Sequence, residues 1–170
     1  LFVSGSVVFA FEQFKTSFST IESIERECGT PVVSLLPHLT KGRKKKREIL
    51  IGFEKKEDHY KRHAFELFNT LRMNLLFSDS FQKSKTLVVT SAMPQEGKSF
   101  VSANLAVTMA HAGMKVLLLD CDFRHPSQHH FFNAPQSPGL IDFINNGSPD
   151  EVVKTNYSNL FLLPVGSLDE

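Results

Sequence analysis

Gly97-Lys98-Ser99 and, 22 residues beyond the lysine, Asp120-Cys121-Asp122 are the residue types best suited to chemistry in this sequence. A glycine lets backbone N–H groups approach an anion closely, and the start of a following helix adds partial positive charge. In that setting Lys98 would reach the β- and γ-phosphates of a nucleotide, and the Ser99 hydroxyl would ligate Mg²⁺. If the backbone stays extended through the acidic pair, Asp120 and Asp122 point to one side. Both can then address one Mg²⁺ or an attacking hydroxyl. The plainer alternative for the pair is helix capping or an exposed turn.

These groups need elements to hold them. Thr86-Leu87-Val88-Val89-Thr90-Ser91 is a compact β-branched run, which predicts a buried parallel strand. It leads through Ala92-Met93-Pro94-Gln95-Glu96 to Gly97. Phe100 to Ala112 then carries Val101, Leu105, Ala106 and Met109 at helical spacing and stops at Gly113. Strand, Gly-Lys-Ser turn and helix are the context of a P-loop. The first glycine of G-x-x-x-x-G-K-S/T is replaced by Ala92. Val116 to Leu119 predicts a second buried strand, delivering the carboxylates at its carboxyl end, where open α/β sheets bind ligands.

Arg124 follows the acidic pair. His125 and His129 have the i,i+4 spacing of a helical metal pair, but without a third suitable ligand nearby, capping or packing is the plainer reading. Ser137-Pro138 opens a helix ending near Gly147, Ser148 to Glu151 forms a second capping-box start, and Asn159 to Pro164 predicts another strand.

Upstream, Leu1 to Phe11 is apolar or small without a charge. It is too short to span a bilayer, which takes about 20 residues, so it reads either as a buried segment or as the end of a transmembrane helix. Ser19 and Glu22 suit a capping box, followed by a short helix to Gly29 and a proline-bounded strand over 31–37. Lys41 to Arg47 holds six cations in seven positions. Such a run is usually a solvated linker; beside a membrane it would face anionic lipid, each cation contributing about 1 kcal/mol. From 58 to 78, Phe65, Phe68, Leu71, Leu75 and Leu76 form one helical stripe, with Glu66 and Arg72 largely off it.

The composition sets bounds. The 170 residues carry 19 Lys+Arg against 18 Asp+Glu and are 41% hydrophobic, a globular balance that excludes a uniformly basic nucleic-acid coat. Two distant cysteines, Cys28 and Cys121, disfavour a disulfide scaffold or a cysteine zinc site.

Ser91 to Ser99, Asn104-Leu105-Ala106, Val116 to Pro126, His129, Phe132 and Gly139-Leu140 together resemble the nucleotide-binding half of bacterial tyrosine kinases, in the MinD/ParA-like branch of P-loop ATPases. Gly5 to Pro37 resembles the cytoplasmic exit of the second membrane helix of Wzz-type polysaccharide co-polymerases. The resemblance implies an α/β P-loop NTPase fold, a mostly parallel sheet with helices on both faces. This unit would be incomplete and preceded by the end of a transmembrane helix and a linker. Its implied divisions are a membrane-helix end at 1–14, a membrane-proximal linker at 15–57 and the first part of a kinase domain at 58–170.

By the same resemblance, Gly97, Lys98 and Ser99 match the Walker A motif, and Gln95, Glu96, Phe100 and Arg124 join them in holding ATP. Lys98, Asp120 and Asp122 would be catalytic; Ser99, Asp120 and Asp122 would hold Mg²⁺. The family's Glu-x-x-Arg-x-x-Arg oligomerisation motif aligns with Glu66, Asn69 and Arg72, its middle arginine absent. The implied activity is autophosphorylation on tyrosine, controlling exopolysaccharide or capsule synthesis, chain length and export. It would act at the bacterial inner membrane with the kinase part in the cytoplasm. Partners would be further copies of the kinase and the polysaccharide polymerase and export machinery, not nucleic acid. No Walker B strand follows Pro164, and Tyr60 and Tyr157 form no cluster, so this stretch is expected to be inactive alone. A MinD/ParA-like positioning ATPase and a non-catalytic, nucleotide-binding co-polymerase subunit are the competing expectations.

Overall fold

The computed structural model describes residues 20–36, 59–147 and 151–167. Two compact units divide the chain, 1–35 and 36–170. The apolar start, Ser19 and the basic run 41–47 lie outside the described residues, as do 148–150 of the second capping box. No helix among the described residues is long and apolar enough to cross a membrane.

In the first unit, α1 (Ile21–Cys28) is capped one residue later than expected, by Thr20. The Thr20 hydroxyl accepts from the Ser23 N–H at 3.3 Å and the Ser23 hydroxyl accepts from the Thr20 N–H at 3.4 Å, so Ser23 takes the reciprocal role assigned to Glu22. Gly29 closes the helix at φ 65°, its N–H donating to the Glu25 carbonyl. The strand expected over 31–37 is absent from the described part, 31–36. The Val32 N–H donates to the Glu25 carboxylate at 2.8 Å, spending on a side chain the donor that a ladder would use.

The second unit contains α2 (His59–Leu76), α3 (Asp79–Ser84), α4 (Lys98–His111), β1 (Val116–Leu119), α5 (Gln128–Phe132), α6 (Leu140–Asn146), β2 (Val153–Lys154) and β3 (Leu160–Leu163). The stripe of α2 packs as its spacing predicts: Ala64 and Phe68 are fully buried, with Phe65, Leu71 and Leu75 against the same core. Phe68 meets Phe100 edge to face at 6.2 Å and Phe65 meets His111 at 6.0 Å, seating α2 on α4. Ser78 caps α3 through the Phe81 N–H.

Every residue of α4 from Ala103 to Ala110 is buried, so this helix is covered around its whole circumference rather than along one stripe. Within that run Thr108 donates to the Asn104 carbonyl at 2.8 Å, and Asn104 to the Phe100 carbonyl at 2.9 Å. Their polar groups are thus satisfied by the preceding turn. The helix packs on β1 and β3.

The sheet has the order β1-β3-β2 and is mixed. β1 and β3 run parallel, Val116 opposite Leu160 and Leu119 opposite Leu163, while β2, not anticipated from sequence, is antiparallel to β3. Residues 86–91 belong to no ladder among the described residues, contrary to the strand expected there. A buried strand needs a hydrogen-bonded neighbour, and without one Val88 is 81% exposed. β1 is likewise an edge: Val116 and Leu118 face the core, whereas Leu117 and Leu119 remain largely exposed.

Candidate functional site

The turn before α4 has an unusual backbone: Gln95 sits at φ 67° and Gly97 at φ 98°, two left-handed residues within three positions. Only glycine adopts such angles without strain, and nothing stands where a Gly97 Cβ would be, so the approach to the backbone is open. Gly97 is the N-cap of α4 and no side chain caps the helix, which leaves first-turn N–H groups for an incoming anion. The loop is braced locally. The Met93 N–H donates to the Glu96 carboxylate at 3.0 Å, and the Ser91 hydroxyl to the Met93 carbonyl at 2.9 Å. Glu96 therefore shapes the loop, and the Phe100 side chain packs into the core beside Phe68.

Lys98 crosses to the acidic loop and pairs with Asp122, Nζ to Oδ2 at 2.5 Å. Asp122 also accepts the His125 N–H at 3.0 Å. Hydrogen bonding from the Lys98 ammonium, followed by backbone N–H groups, holds this carboxyl below its ordinary value of 3.8 in spite of some burial.

Asp120 is used differently. The strand ends at Leu119, so the alternation expected to aim both carboxylates one way does not reach them. Asp120 is buried; its Oδ1 accepts the Asp122 N–H at 3.1 Å, and its Oδ2 accepts the Ser127 and Gln128 N–H groups, each at 2.9 Å. It ties the loop to the start of α5, a capping role that was the alternative to metal or hydroxyl binding. A carboxylate has about four acceptor sites, so these three bonds leave room for one more partner.

Ser99 is joined to the acidic loop by a residue the sequence did not single out. Gln128 donates through Nε2 to the Ser99 carbonyl at 3.2 Å and to the Ser102 hydroxyl at 3.0 Å. The only sequence hint was a polar residue amid the Phe-rich start of α5. Arg124 is exposed on the following turn. His125 precedes α5 while His129 lies within it, so the two are not a helical pair. No His/Cys/Asp/Glu group suited to a metal occurs among the described residues. Glu66 is exposed on α2, and Arg72 is half-buried with Asn69 Oδ1 3.5 Å from its guanidinium.

A family model described as "ParA: NUBPL iron-transfer P-loop NTPase" matches residues 82–158, the stretch holding both loops. The putative tyrosine-protein kinase CapB of Staphylococcus aureus is 41% identical over 103 residues, 59% of this chain and 45% of CapB. Over this stretch the chain is similar to a bacterial tyrosine kinase. Two solved structures share the fold. The BceF tyrosine kinase domain superposes with a TM-score of 0.69 at 26% identity, covering 87% of this chain and 62% of that one. The chimerical protein CapA2B2 gives 0.61 at 30% identity, covering 88% and 62%. The chain thus has a P-loop NTPase fold and spans less than half of CapB.

The Lys98–Asp122 pair carries a pH signature. Because the folded Asp122 carboxyl titrates below its unfolded value, the pair's stabilisation is complete above the ordinary aspartate range and is lost as pH falls through the lowered folded value. Urea midpoints measured from pH 6 down to pH 2 should fall less steeply for Asp122→Asn than for the parent. Identical acid limbs would remove the pair from the stability of the fold.

Proposed function

We propose that the chain is the nucleotide-binding part of an ATP-dependent protein-tyrosine kinase that regulates exopolysaccharide or capsule synthesis, chain length and export. The observation that carries this reading is the Lys98–Asp122 contact, in which the lysine at an uncapped helix start meets the acidic loop from 24 residues away. The site has the parts that phosphoryl transfer requires: open backbone donors, a cation and carboxylates.

Lys98 would leave Asp122 for the β- and γ-phosphates. The residues fit Mg²⁺ as well: a hard cation takes oxygen ligands, and the Ser99 hydroxyl with Asp122, then released from Lys98, supplies two. When bound, Mg²⁺ would offset negative charge on the phosphates undergoing transfer. Asp122 would also accept the proton of a tyrosine hydroxyl as that oxygen attacks the γ-phosphorus and the β–γ bridging bond breaks, with ADP as the leaving group. Asp120 would hold the acidic loop, with one acceptor position left for the metal or its waters, and Arg124 would complete the phosphate contacts from its exposed turn.

Self-association through α2 would use exposed Glu66, whereas Arg72 is engaged by Asn69 in its own helix. Placement at the bacterial inner membrane, with the kinase part in the cytoplasm, is supported by the sequence likeness of 5–37 to co-polymerases. A polymerase or export assembly as partner rests on that same likeness.

The test is tyrosine labelling. The full-length protein containing this sequence, given Mg²⁺ and labelled ATP, should yield phosphotyrosine. Nucleotide turnover without phosphotyrosine would favour a MinD/ParA-like positioning ATPase, the reading that the ParA family match supports. Binding without turnover would favour a non-catalytic co-polymerase subunit.

A further inference from the structure

We propose that Gln128 is a positioning residue that holds the Lys98-Ser99 turn in register with the acidic loop and thereby makes nucleotide binding sensitive to Mg²⁺. The inference rests on the nucleotide reading above and adds a residue and a coupling to it.

Gln128 is 4% exposed and reaches both halves of the site. Its backbone N–H donates to Asp120, and its side-chain amide donates to the Ser99 carbonyl and the Ser102 hydroxyl. Ser102 in turn donates to the Lys98 carbonyl at 2.8 Å. The orientation of the amide is fixed by chemistry, because only the NH₂ end can face a carbonyl oxygen. A second bridge between the halves, Lys98 to Asp122, consumes the very groups that phosphate and metal need. It must open when they load. The Gln128 bridge uses a backbone carbonyl and the Ser102 hydroxyl, so it persists through loading and keeps the two loops aligned.

A further observation gives this bridge a link to the cation. Gln128 Oε1 and the neighbouring Ser127 hydroxyl are buried without a hydrogen-bond partner. A buried acceptor left unpaired is destabilising, so an incoming donor at that atom is favoured. Ser127 and Gln128 are the two residues whose backbone amides Asp120 holds, and a hydrated divalent cation carries O–H donors of the kind that Gln128 Oε1 lacks.

ADP binding to the purified chain, measured by calorimetry with Mg²⁺ and again with EDTA, tests the proposal on the parent, Gln128→Leu, Ser102→Ala and the double variant. Gln128→Leu should lower MgADP affinity about tenfold, as outer-shell changes at metal sites do, while metal-free ADP binding stays within about twofold. Ser102→Ala should give a smaller loss of the same selectivity, and the double variant should fall short of the sum. Equal losses with and without Mg²⁺, or no loss, would overturn the proposal. Should Gln128→Leu fail to fold, Ser102→Ala decides: a selective loss supports the bridge, and parent-like Mg²⁺ dependence overturns it. A parent chain that binds no ADP would overturn the nucleotide reading and this coupling together, an outcome distinct from parent binding with an indifferent Gln128→Leu.

Discussion

Lys98→Ala should weaken MgADP binding to the chain by about 100-fold and abolish tyrosine labelling in the full-length protein, since truncating one partner of a desolvated, hydrogen-bonded charge contact costs about 2–5 kcal/mol. Two effects compete in this variant. The parent must break the Lys98–Asp122 pair before the lysine can serve a phosphate, and the variant is spared that step. The pair is only part-buried, with side chains 32% and 19% exposed, and contacts of this kind contribute about 0–1 kcal/mol. The lost phosphate contact is therefore the larger effect. Calorimetric titration of parent and variant checks the affinity, and phosphotyrosine detection checks the activity. Affinity within threefold of the parent would remove Lys98 from the site.

The second large effect concerns the fold. Gly139 has φ −164°, an ordinary extended conformation, so its importance is one of space. A Cβ built there would lie well under 3.0 Å from the Pro164 carbonyl oxygen and the Gly166 amide nitrogen, both backbone atoms that cannot rotate aside. The crowding comes from close docking of α6 on the end of β3. Leu140 N–H donates to the Pro164 carbonyl at 2.7 Å, Ile141 N–H to Val165 at 2.9 Å, and Gly166 N–H to Gln136 at 3.0 Å. The Asp142 carboxylate closes the joint by accepting the N–H groups of Gly139 and Ser167. Gly139→Ala must pry these segments apart, at about 3 kcal/mol by analogy with overpacked cores. The melting temperature should drop by about 10 °C. A drop under 2 °C would mean that the joint relaxes freely.

How far the sequence revealed this arrangement depends on how local the determining physics was. The α2 stripe, the α4 helix, β1 and β3 follow from spacing and hydrophobic runs, and the Gly-Lys-Ser turn from its residue types. The expectation at 86–91 failed because strand propensity says nothing about whether a ladder partner is present. β2 was missed because two residues, Val153 and Lys154, leave no periodic trace. Asp120 and Asp122 were located correctly, yet their division of labour depends on where the strand stops and which amides fold back, facts set by 120–128 acting together. Gln128 was invisible for a related reason: its partners lie 26 and 29 residues earlier. A lone glutamine has no motif.

The all-round burial of α4 has a mechanical consequence. Fourteen residues make a rod about 20 Å long, and a helix walled in from Ala103 to Ala110 has little room to bend or roll. The far end presents His111 to Phe65, the immediate neighbour of Glu66 on α2. The phosphate turn and the part of α2 that carries Glu66 therefore rest on opposite ends of one rigid, closely packed element.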